Sequence, residues 1–68
     1  DKDAEIARLT KESNKLQQDI ERTETKLGNA AFIEKAPAEV VENERKRVHE
    51  NKIAVEKLRE QIQKISAL

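Results

Sequence analysis

The chain has 68 residues, of which 41% are charged and 35% hydrophobic, and its fourteen Lys and Arg balance its fourteen Asp and Glu to a formal charge of zero. A chain of this length buries a modest share of its surface, which leaves no room for an enzyme pocket of ordinary size. Zero net charge means that any affinity for nucleic acid has to come from local clustering of cations rather than from the bulk field. With no cysteine there are no disulfides and no thiolate metal sites, and this slightly favours an intracellular origin. No apolar run approaches the roughly 18 residues of a membrane span, so no membrane partner is expected, and Asp1-Lys2-Asp3 does not read as the start of a signal peptide.

From Ile6 the apolar and small positions run Ile6, Leu9, Ser13, Leu16, Ile20, Thr23 and Leu27, in alternating steps of three and four. That spacing is a heptad seam with Ser13 and Thr23 as its weak layers. Good helix formers fill the segment and it lacks Gly and Pro, so a helix is predicted over about 2–27. At ~1.5 Å per residue such a helix is about 39 Å long and needs a partner face to be stable.

The only Gly, Pro and Phe of the chain then fall within ten residues, Gly28 to Pro37. A glycine after one periodic segment and a proline opening the next read as helix stop and helix start, which makes 28–36 the tip of a hairpin. Asn29 can cap a short turn of helix, and Phe32 with Ile33 can fold on Val40 and Val41 as a small second core. The tip is therefore expected to be a structured loop or a short helix. The second seam runs Val41, Glu44, Val48, Asn51, Val55, Leu58, Ile62 and Ile65, and a helix is predicted over about 37–66. Ala36 is expected as its cap, Pro37 as its first helical residue and Glu39 as a favourable carboxylate in its first turn.

The fold expected over 1–68 is all-α, a single two-helix antiparallel coiled-coil hairpin. Facing layers should have residue numbers summing to about 71, setting Ile6 on Ile65, Leu9 on Ile62, Ser13 on Leu58, Leu16 on Val55, Ile20 on Asn51, Thr23 on Val48 and Leu27 on Glu44. On one flank this register runs Glu24, Gln17 and Thr10 beside Arg45, Lys52 and Arg59; on the other it sets Lys26 against Arg47.

The inventory for catalysis is nearly empty. A single histidine with no adjacent nucleophile, no paired His and no glycine-rich phosphate loop give no catalytic, cofactor or metal site, and His49 reads as an ordinary surface residue. The informative feature is a group of cations near the tip: Arg22, Lys26, Lys35, Arg45, Lys46 and Arg47. Like charges held together suit an anionic ligand, although Glu21, Glu24, Glu42 and Glu44 stand near enough to neutralise them. Phe32 among them could stack on an exposed base, or equally plug the tip core. On residues alone the choice stays open between a nucleic-acid-binding arm and a coiled coil that is structural or binds a protein partner.

One further pattern narrows the choice. Lys26-Leu27-Gly28-Asn29, Phe32-Ile33, Lys35-Ala36-Pro37, Val40-Val41, Glu44-Arg45 and Leu58-Arg59-Glu60-Gln61 together resemble the C-terminal coiled-coil arm of bacterial valyl-tRNA synthetases, with Ile33 where that pattern has valine. The resemblance covers essentially the whole chain. It implies a cytoplasmic C-terminal fragment of a valine–tRNA ligase that reaches the outer corner of its valine-specific tRNA, where the D and T loops meet. It also implies a catalytic body upstream as partner, no aminoacylation by the fragment itself and no cofactor within it. The residues expected to meet RNA are Arg22, Lys26, Phe32, Lys35, Arg45, Lys46 and Arg47.

Overall fold

The computed structural model describes residues 1–68 and contains three helices. Asp1 caps the first: its carboxylate accepts from the Asp3 N–H at 3.2 Å, and α1 then runs Lys2–Leu27. Gly28 follows with φ −81° and ψ −6°, ordinary right-handed backbone, its N–H donating to the Glu24 carbonyl at 2.9 Å. The helix stops at the glycine as predicted, but not through a left-handed turn. The change of direction is made by Asn29, which is extended and whose side chain accepts from the Ala31 N–H at 2.9 Å. An asparagine in that role satisfies one of the unpaired donors at a helix start, and the short helix α2, Ala30–Lys35, follows from it.

Ala36 is extended because the ring of the following proline excludes the helical region. Pro37 is itself the cap of the next helix rather than its first residue: its ψ is 147°, and its carbonyl accepts from Val40 and Val41 at 3.0 and 3.2 Å. The third helix, α3, spans Ala38–Ser66, with Glu39 in the first turn where the dipole favours it.

α1 and α3 pack along their lengths into a rod 49 Å long and 14 by 13 Å across. The residues it buries are Leu9, Ser13, Ile20 and Thr23 from α1 and Val48 and Val55 from α3, all of them seam positions. Ile20 is the deepest, clustered with Val48 and Val55 while Leu16 and Leu27 pack against the group. Val48 and Val55 are a heptad apart and bracket Asn51, so Ile20 stands at the level of Asn51. Two polar contacts fit the same register. Lys2 Nζ meets the Leu68 carbonyl at 2.9 Å and Asn51 Nδ2 meets Asp19 at 2.8 Å, and in each pair the residue numbers sum to 70.

The second core at the tip is shallower than expected. No residue of α2 is buried, Phe32, Ile33 and Val41 are half-buried, and Val40 is 41% exposed. Val41 lies on the seam, whereas Val40, one residue earlier, is rotated by about 100° and turns to solvent. No helix is long and apolar enough to cross a membrane.

Candidate nucleic-acid interface

The end of α1 carries Arg22 and Lys26, α2 carries Phe32 and Lys35, and the start of α3 carries Arg45, Lys46 and Arg47; all six cations are exposed. The Asn29 cap sets α2 back against the end of α1. This brings Lys26 Nζ to 5.2 Å from the centre of the Phe32 ring, a cation–π distance. The aromatic and one of the expected cations thus form a single unit.

Arg47 is placed differently from its neighbours. Its Nη2 and Nε donate to Oδ1 and Oδ2 of Asp19 at 2.9 and 3.0 Å, and Asn51 Nδ2 donates to the same Oδ2 at 2.8 Å. The expected opposition of Lys26 and Arg47 is relieved by this choice. Asp19 and Lys26 occupy the same flank of α1 one heptad apart, and Arg47 reaches to the acid while Lys26 turns to Phe32. Neither Asp19 nor Asn51 stands out in the sequence as part of a site. The signal that finds them is the heptad flank itself, on which a carboxylate seven residues before Lys26 is within reach of the same arginine.

On the other flank Glu24 does not partner Arg45. It is bonded to Lys52 at 2.9 Å, one heptad further along α3. Arg45 instead lines an open groove of about 410 Å³ with Ile33, Ala36, Ala38, Val41 and Glu42. Lys46 stands on the outer face of α3 beside Glu42, His49 and Glu50. The ion pairs of the hairpin are Arg8 with Glu5 and Glu12, Arg47 with Asp19, and Lys52 with Glu24. Arg22, Lys26, Lys35, Arg45 and Lys46 therefore have no carboxylate within 4 Å, although Glu21, Glu42 and Glu44 lie in the same turns. Carboxylates near the tip are as numerous as cations, so anion binding here depends on which N–H donors the ion pairs leave free. The distinct pKa shifts lie at the opposite end, where the hydrogen bond and charge of Arg8 hold the Glu5 carboxyl below its ordinary value.

Over residues 1–66 the sequence matches the family model described as "Valyl tRNA synthetase tRNA binding arm". The chain belongs to this family. The arm is also 53% identical, over 45 residues, to the valine–tRNA ligase of Bacillus subtilis (strain 168). That alignment takes in 66% of the arm and 5% of the ligase, so the arm spans a small part of its relative's length. No solved structure matches the arm. Membership agrees with the resemblance carried by the tip residues, and it covers both helices as well as the tip.

Proposed function

We propose that the arm binds tRNA at the outer corner formed by the D and T loops and thereby assists aminoacylation by the catalytic body of a cytoplasmic valine–tRNA ligase, taking no part in the chemistry itself. The observation that carries this reading is the set of five unpaired cations, Arg22, Lys26, Lys35, Arg45 and Lys46, on the tip-proximal turns of a 49 Å rod, with Lys26 over the ring of Phe32. Recognition of folded RNA suits such a surface. A-form stems display phosphates and shape rather than readable base edges, and the accessible bases are those of loops. Lysine and arginine on a projecting element meet the phosphates, and an aromatic offers a face to an unstacked base. The neutralising role open to the acids is weakened by the pairing, because Glu24 is held by Lys52 and the other three acids make no ion pair.

The test is deletion of residues 1–68 from the full-length ligase. The Michaelis constant for tRNA should rise while valine-dependent pyrophosphate exchange stays as it was. If exchange collapses and tRNA binding holds, the arm is a brace for the catalytic body and the tRNA reading is wrong.

A further inference from the structure

We infer that Asp19, anchored by Asn51, is a positioning residue that presents Arg47 to an RNA phosphate. The inference rests on the tRNA-binding reading of the arm and adds to it a part for two residues that carry no positive charge. Arginine has five N–H donors in a rigid fork. In Arg47 one N–H of Nη2 and that of Nε are taken by the Asp19 carboxylate, and three donors, including both on Nη1, are left. The side chain of Arg47 is 57% exposed, whereas that of Asp19 is 21% exposed. The acid is thus the covered side of the pair and the arginine its open side.

Asn51 sets the direction of the whole chain of bonds. It occupies a half-buried seam position at the level of Ile20, and its amide donates to the oxygen that also accepts from Arg47 Nε. A seam residue holds a carboxylate, the carboxylate holds one edge of a guanidinium, and the other edge is left to solvent on the flank of α1 that carries Lys26 one heptad further on. A free arginine must give up rotamer freedom to hold a phosphate, and one already held loses less. The remaining edge is still suited to a phosphate oxygen.

Charge alone predicts the opposite behaviour, and this makes the role testable. Asp19 is a negative charge next to the proposed phosphate site, so neutralising it should strengthen RNA binding unless its orienting role is larger. In the full-length ligase, Asp19→Asn is expected to weaken tRNA binding roughly three- to tenfold, and Arg47→Ala by a similar factor while lowering the salt slope by roughly 0.7 to 0.9. On the Arg47→Ala background Asp19→Asn should have no further effect, since the two act as one unit. Asn51→Leu places an apolar residue opposite Ile20, and the hairpin should melt at higher temperature while tRNA binding falls about twofold, a split that a purely structural role does not give. A gain in affinity with Asp19→Asn, or an equal loss with Arg47 already removed, overturns the inference. If Arg47→Ala is silent while Arg45→Ala with Lys46→Ala weakens binding, only this inference fails. If all of these variants are silent, the tRNA reading fails with it.

Discussion

The ammonium of Lys26 stands 5.2 Å from the centre of the Phe32 ring, so the last turn of α1 and the short α2 are joined by a cation–π contact at the exposed end of the rod. An exposed contact of this kind is worth about 0.5 to 1 kcal/mol. Phe32→Leu keeps the apolar volume and removes the ring, and thermal unfolding of the hairpin should show a loss of that size. If the ring also stacks on a tRNA base, the same variant should lower tRNA affinity by more than Lys26→Met does.

Ile20 and Ile33 separate the main core from the tip. Ile20 is 2% exposed at the centre of the cluster with Val48 and Val55, and Ile20→Ala should cost about 2 to 5 kcal/mol. Ile33 is half-buried in an open groove, so Ile33→Ala should cost only about 1 kcal/mol, in proportion to the area it covers. Chemical denaturation of the two variants side by side checks the ranking; equal losses would mean that the tip is as well packed as the seam.

Gly28 has right-handed backbone, and a Cβ built on it would meet the Glu24 and Thr25 carbonyls at 3.4 and 3.6 Å, ordinary contact distances. Gly28→Ala should therefore stabilise the hairpin by about 0.4 to 1 kcal/mol through the unfolded chain. A drop in melting temperature would show that the glycine serves a conformation other than this one.

Arg45 and Lys46 have no carboxylate partner to lose, so reversing their charge disrupts no ion pair of the hairpin. Arg45→Glu with Lys46→Glu should leave the melting temperature nearly unchanged and weaken tRNA binding most at low salt. Each lost phosphate contact should reduce the slope of log affinity against log salt by roughly 0.7 to 0.9. An unaltered slope would remove both residues from the interface.

The unbroken three-four spacing from Ile6 to Leu27 and from Val41 to Ile65, with Gly28 and Pro37 between, determines two antiparallel helices and the faces they turn to each other. Hydrophobic burial acts through Cβ positions, which follow directly from helical periodicity, and a shift by one heptad would set Ser13 on Asn51 and leave Ile62 and Ile65 without partners. Asn29 likewise announces its cap, because that interaction spans only two residues. Two other features are decided in three dimensions. Pro37 caps α3 instead of opening it, and the tip packs less deeply than its apolar content suggests, with Val41 half-buried and Val40 exposed. The pairing of charges also departs from the simplest register: Glu24 takes Lys52 rather than Arg45, and Arg47 takes Asp19. Long side chains on the flanks reach acceptors a full heptad away, and exposed ion pairs differ from one another by about 1 kcal/mol or less. Seam spacing constrains where those side chains begin, and only the packed hairpin decides where their charged ends meet, and hence which cations are left for a ligand.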